Sequence, residues 1–374
     1  MNKLLQMLKI EEPKDPRQSW KVKHLIGDII VIVFLATLAR CDDWIEIEDF
    51  AKYQEEVLRE YLELPNGIPS HDTIQRVMAM ISPTYIQLLR DRWNEMVTAN
   101  ADDKVRKLLG IDGKTQRGNA SEDRKANHIV SAVDDRGFCV REVKTKEKSN
   151  EITAIPILLE GLNIKDTIIT TDAMGCQKDI VKIIRRRKAD YVLAVKGNQP
   201  TLLEDISLYY EDKDLLAGCA YTKTLEKARG NIELREYWQT DDISWLSGKK
   251  DWTGLKTIAM TKNTITKKDG KTTTEVRYFI SSLPLNVNDI AWAIRKHWMV
   301  ESYHWLLDVV FREDANRTLE ETAAYNLNLF RKMALNTLKL MEFPEIRRKN
   351  VSIKSKRNFI MWGFAKYIER IMAI

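Results

Sequence analysis

Leu108-Leu109-Gly110-Ile111-Asp112-Gly113-Lys114 reads as a short buried strand that delivers an aspartate to a glycine turn. Ile168-Ile169-Thr170-Thr171-Asp172-Ala173-Met174 repeats the design: β-branched residues, an aspartate at the strand tip, then a helix-like run. Carboxylates on rigid strands are the ligands that a hard, oxygen-seeking cation such as Mg²⁺ requires. A third acid, Glu301, lies in a helical run rich in His and Trp. Asp, Asp and Glu in that order suggest two-metal phosphoryl transfer on nucleic acid, in which two divalent ions about 4 Å apart bracket one phosphate. Asp112 takes the bridging place, with Asp172 on one ion and Glu301 on the other. A single aspartate at a strand end is ordinarily a turn cap. Two such strands followed by an acid-bearing helix are what point to chemistry.

The periodicity predicts a helix over Asp289–Phe311, on which His297, Glu301, His304 and Asp308 share one face. Trp305 lies next to Glu301 there, and Trp298 and Arg295 flank it. Rings and cations around a metal-binding carboxylate could stack a displaced base and hold phosphates. Packing of helix on sheet is the ordinary use of Trp298, and for Trp305 both readings stand. Two histidines with two acids also fit a transition-metal site, but no third segment supplies obvious further ligands. Lys114 and Arg117, with Lys196, Asn198 and Gln199 at another strand end, offer cations and amides to phosphate. Arg185-Arg186-Arg187-Lys188 closes a helix, where positive charge complements the dipole or meets DNA.

The elements that must position these residues follow from the pattern. Residues 1–100 read as an all-α N-terminal domain, a DNA-binding or dimerisation module. In it His24–Ala39 is apolar nearly all round, Ser70 is placed as a cap, and Pro83 stands at a first turn. From Lys107 the period changes. Lys107–Asp112, Ile129–Asp134 and Phe138–Val143 read as strands, the last two joined by an Asp135-Arg136-Gly137 turn. Helix Glu151–Glu160, strand Thr167–Thr171, helix Cys176–Arg187, strand Tyr191–Val195 and helix Pro200–Tyr210 come next. Three antiparallel strands and then alternating helix and strand give an α/β mixed sheet with helices on both faces, the ribonuclease H-like arrangement. Its first part spans 101–219, a β-rich insertion spans 220–285, and 286–374 returns to the core with the glutamate helix and C-terminal helices.

Bulk numbers narrow the class. In 374 residues, 44% are hydrophobic and 30% charged, the balance of an ordinary globular chain and not of a disordered one. The net charge of +6 leans towards a polyanionic partner. Cys41, Cys139, Cys176 and Cys219 are scattered, which argues against a zinc site or a disulfide framework and fits a reducing cytoplasm. Leu25–Ala39, interrupted by Asp28, is too short to span a bilayer, and Met1–Ile10 lacks a secretory pattern, so no membrane partner is expected.

Longer motifs make a resemblance specific. Leu64-Pro65-Asn66-Gly67-Ile68-Pro69-Ser70-His71-Asp72-Thr73, Ile111-Asp112-Gly113-Lys114-Thr115 and Lys148-Ser149-Asn150-Glu151-Ile152-Thr153-Ala154-Ile155-Pro156 are three of them. Thr171-Asp172-Ala173-Met174-Gly175-Cys176-Gln177, Tyr191–Pro200 and His297-Trp298-Met299-Val300-Glu301 continue the series. The chain resembles the H-repeat-associated insertion-sequence (ISAs-type) DDE transposases from about residue 15 to 340. The resemblance implies a ribonuclease H-like core in which Asp112, Asp172 and Glu301 bind two Mg²⁺ or Mn²⁺ ions. It implies cleavage and strand transfer on double-stranded DNA, at terminal inverted repeats and target sites, by a homodimer in the bacterial cytoplasm on the nucleoid. Where the family usually has His-Gly-Arg before a Glu-x-Arg pair, this chain has Arg229-Gly230-Asn231, then Glu233 and Arg235, so Arg229 and Arg235 are its candidate DNA contacts there. Related DDE transposases carry Tyr, Arg and Lys where Ile294, His297 and Asp308 stand here, so hairpin handling does not transfer. Two alternatives stay open: a transposase-derived DNA-binding repressor that no longer cuts, and a ribonuclease H-like nuclease without strand transfer.

Overall fold

The computed structural model describes residues 15, 17–18, 20, 22–98, 107–116, 127–145, 151–228, 230–348 and 350–373. They fall into two compact units. One draws on residues 1–103, 116–127 and 304–374, the other on 104–115 and 128–303.

The first unit is helical in its described residues. Helix α1 (Ile26–Leu38) is buried along its length except at Gly27, as its all-round apolar sequence requires. Asp28 is tolerated inside because its carboxylate accepts the Leu64 N–H at 2.9 Å. Helices α2 (Trp44–Tyr53), α3 (Glu55–Leu58), α4 (His71–Met80) and α5 (Pro83–Thr98) follow. Asp43 and Ser70 cap α2 and α4, each accepting an N–H of the first turn. Far along the chain, α11 (Glu321–Leu340) is buried from Ala323 to Leu338. Its polar side chains bind the N-terminal helices. Asn326 donates to the Met78 and Ile81 carbonyls at 2.8 and 2.9 Å, and Arg331 donates to the Asp42 carbonyl at 2.7 Å. Trp93 Nε1 donates to Thr337 Oγ1 at 2.9 Å. Helices α12 (Ile353–Trp362) and α13 (Phe364–Ala373) close the unit. Arg357, buried on α12, donates to the Asp42 carboxylate at 2.8 Å and to the Thr37 carbonyl at 3.0 Å.

The second unit is a nine-stranded mixed sheet in the order β3-β2-β1-β4-β5-β9-β8-β7-β6. Its strands are β1 (Lys107–Gln116), β2 (Asn127–Asp134), β3 (Cys139–Thr145), β4 (Thr167–Thr171), β5 (Asp190–Val195), β6 (Ala220–Ala228), β7 (Asn231–Thr240), β8 (Thr257–Thr266) and β9 (Thr272–Ser281). β1, β4 and β5 run parallel, which takes the crossover helices α6 (Glu151–Glu160) and α7 (Lys178–Arg186). α8 (Pro200–Glu211) and α9 (Lys213–Ala217) follow β5, and α10 (Val287–Val309) follows β9. Alternation along the strands builds two cores. Leu109, Ile111, Ile169 and Leu193 pack with Ile155, Leu158, Ile180 and Ile184 of α6 and α7. Leu108, Ile168 and Val192 pack on the other face with Ile290 and Ala293 of α10.

Two expectations change in detail. β1 runs on to Gln116 and does not end at Asp112. The helix read from Cys176 begins at Lys178, after a 3-10 turn over Ala173–Gly175. The strands of the β-rich segment carry the sheet outward: β9 pairs antiparallel with β5, matching Val195 to Tyr278.

Candidate active site

Asp112 and Asp172 come to one level of the sheet because β1 and β4 are parallel neighbours in which Ile111 pairs with Thr171. Each aspartate follows its paired residue, so both lie at the same edge. Helix α10 passes over β1 at Gly110, where a methyl group would sit in ordinary van der Waals contact with Val300 Cγ1 at 3.4 Å and the His297 carbonyl at 3.5 Å. Val300 is fully buried against it, and Glu301, the next residue, is exposed. Thr170 Oγ1 and His297 Nδ1 share a hydrogen bond of 2.9 Å, tying β4 to the same helix.

Asp112, Asp172 and Glu301 line one cavity of about 490 Å³, together with Thr170, Lys196 and His297. Asp172 also caps the 3-10 turn, accepting the Met174 N–H at 3.0 Å. Burial first, and then the charge of Asp112, push its carboxyl above the usual aspartate range. Such a donor set, three hard oxygen ligands with like charges from two paired strands and a helix, fits a divalent cation. Tighter packing of acids occurs elsewhere: Asp308, Glu313 and Asp314, in the first unit, bring ligand atoms within 4.8 Å of one another. That group is accounted for by its own surroundings, since Glu313 is buried in the field of the fully buried Arg331.

Comparison with known proteins decides the family. The family model "Transposase DDE domain" matches residues 103–337, and "DDE_Tnp_1-associated" matches residues 8–94. This chain belongs to the DDE transposase family. It is 37% identical to "Putative transposase YncI" of Escherichia coli O157:H7 over 372 residues, covering 96% of this chain and 92% of that one. It is also 37% identical to "H repeat-associated putative transposase YhhI" of Escherichia coli (strain K12), covering 92% of this chain and 94% of that one.

The remaining candidate residues of this DDE family member divide by place. Lys196 is exposed at the end of β5 and lines the cavity. Asn198 and Gln199, just beyond it, hold the turn after Asp172: Asn198 Nδ2 donates to the Ala173 carbonyl at 2.6 Å and Gln199 Nε2 to the Cys176 carbonyl at 3.0 Å. Lys114 is half-buried, two residues past Asp112 on the same strand. Arg235 and Arg295 line an adjoining cavity of about 390 Å³. There Arg235 pairs with Glu226 at 2.8 Å and with Glu233, and Arg295 lies 3.9 Å from Glu226. Trp298, 40% exposed, stands at the junction of the two cavities with the Arg277 guanidinium over its ring at 5.6 Å. His304 is buried and Trp305 is exposed; both belong to the first unit. Arg117 and Arg229 lie outside the described residues. In the basic run at the end of α7, Arg185 and Arg187 are spent on the backbone, donating to the Ala189 and Leu162 carbonyls at 2.7 and 2.6 Å.

Sequence reasoning missed a buried pair behind β1. His128, at the start of β2, places Nε2 2.7 Å from Glu151 Oε1 at the start of α6, and both are almost inaccessible. His128 Nδ1 shares a 2.9 Å hydrogen bond with Thr115 Oγ1. The signal was faint: a histidine before an apolar strand, and a glutamate read only as a helix start.

Proposed function

We propose that this family member is an active DNA transposase with a ribonuclease H-like core, whose DDE triad is Asp112, Asp172 and Glu301. The observation that carries the reading is the placement of three carboxylates from distant segments around one cavity, two of them at one level of paired parallel strands. Two Mg²⁺ or Mn²⁺ ions held by Asp112, Asp172 and Glu301 would supply activation of a water or 3′-hydroxyl and stabilise the leaving oxygen. Lys196 faces the scissile phosphate as a cation, and Asn198 and Gln199 keep the Asp172 turn in place. Arg295 and Trp298 extend a track along which the strand leaves the triad. The N-terminal helices bind the terminal inverted repeats or dimerise, and the working form is a homodimer on DNA. Among the described residues no helix is long and apolar enough to cross a membrane.

The test incubates purified protein with a labelled duplex carrying the element's flanking repeat, in Mg²⁺, Mn²⁺ or EDTA, with Asp112→Ala beside it. Metal-dependent cleavage at the repeat boundary, lost in the variant, is expected, and transfer of the freed end to a second duplex distinguishes transposition from simple nuclease activity. Tight binding with no cleavage in either metal would overturn the active-enzyme reading.

A further inference from the structure

The His128–Glu151 pair stands close behind the candidate triad. Gly113, the residue after Asp112, has no side chain where these two groups lie. A methyl group there would come within 2.3 Å of Glu151 Oε1 and 2.6 Å of His128 Nε2. The backbone of β1 is therefore pressed directly against an acid–imidazole pair, next to the aspartate expected to bridge two ions. Thr115, two residues on, is held to the same imidazole. Alternation puts Asp112 on the α10 face of β1 and Gly113 and Thr115 on the α6 face. Glu151 thus approaches the edge of the sheet from the side opposite Glu301.

Burying a glutamate this deeply is costly unless it is paired, and packing alone would be met more cheaply by an apolar residue. The pair's location, directly behind an aspartate where a cation is expected, gives that cost a purpose.

We propose that Glu151, clamped by His128 against Gly113, is a fourth carboxylate of this site: a positioning residue that fixes the Asp112 segment of β1 and adds negative field for the divalent cations. It touches no substrate; it acts through β1 and through the charge it places behind Asp112. The proposal rests on the cation-binding reading of the triad given above.

The test is Mn²⁺ binding to the full-length protein without DNA, followed by electron paramagnetic resonance of the free ion, with circular dichroism to check folding. Glu151→Gln keeps the side chain's size and removes its charge. Folded Glu151→Gln protein is expected to bind Mn²⁺ about tenfold more weakly than wild type, while Asp112→Asn loses the site. If Glu151→Gln binds as wild type does and Asp112→Asn does not bind, Glu151 is packing only and the proposal falls while the triad reading stands. If Asp112→Asn binds like wild type, the triad reading fails and the proposal with it. Should Glu151→Gln not fold, His128→Gln, which leaves the charge but releases the clamp, is measured the same way: weakened binding supports the proposal, and wild-type affinity overturns it.

Discussion

Replacing Asp172 with asparagine is expected to stabilise the protein when no divalent cation is present. Asp112 and Asp172 leave adjacent strands at one level, and strands in a sheet lie about 4.8 Å apart. Two carboxylates about 6 Å apart repel by about 3 kcal/mol at an effective dielectric of about 20. Both groups are half-buried and not sealed, and solvent halves this to about 1–2 kcal/mol. Asparagine keeps the side-chain oxygen that accepts the Met174 N–H, so the cap survives. Metal-free Asp172→Asn should therefore melt about 1–3 °C above wild type in a thermal scan at neutral pH. The pH dependence follows from the same cause. Burial and the Asp112 charge raise the Asp172 carboxyl, so the folded state favours its protonated form. That preference helps stability fully below the unfolded value of 3.8 and is lost as pH rises through the higher folded value. Without metal the wild-type melting temperature should thus fall over that window more steeply than the variant's. Saturating Mn²⁺ should reverse the order: a ligand at a hundred times its Kd contributes about 2.7 kcal/mol to wild type, and little to the variant. An Asp172→Asn protein that melts below wild type in EDTA would refute the like-charge argument.

Other outcomes follow from single contacts. Gly113→Ala should cost about 1–3 kcal/mol in urea denaturation, because its methyl group must displace the buried His128 and Glu151 side chains; unchanged stability would mean the pair does not press on β1. Arg357→Met leaves Asp42 buried with its partner gone and should cost about 3–5 kcal/mol, read as a lower urea midpoint. Asn198→Ala removes the 2.6 Å hydrogen bond to Ala173 and should cost about 1 kcal/mol, with faster amide exchange confined to residues 173–176.

The strands that carry the two aspartates were legible because β-branched runs are local signals, and Ile168–Thr171 is buried as that run implies; the Asp-Gly step misled, since β1 continues through it to Gln116. Helix α10 was legible from its period, and Ser70 and Pro83 from cap chemistry. What escaped the sequence is non-local. Pairing of Val195 with Tyr278 joins residues more than eighty positions apart, and no local pattern announces that β9 extends the core sheet. His128 and Glu151 meet only because Gly113 leaves room between two elements, so neither residue signals the other. Arg235 read as a free cation, and the fold surrounds it with Glu226 and Glu233. The candidate amides of Asn198 and Gln199 turned out to serve the Asp172 turn.

The first unit has a consequence for synthesis. Its opening helices bury their apolar faces against α11, which leaves the ribosome roughly two hundred residues after α5. At ordinary elongation rates that delay is on the order of tens of seconds. During it the nascent chain carries α1, a helix with almost no polar side, without the element that covers it. A chain that stops before α11 begins at Glu321 keeps the apolar surface of α1 and lacks the helix that covers it.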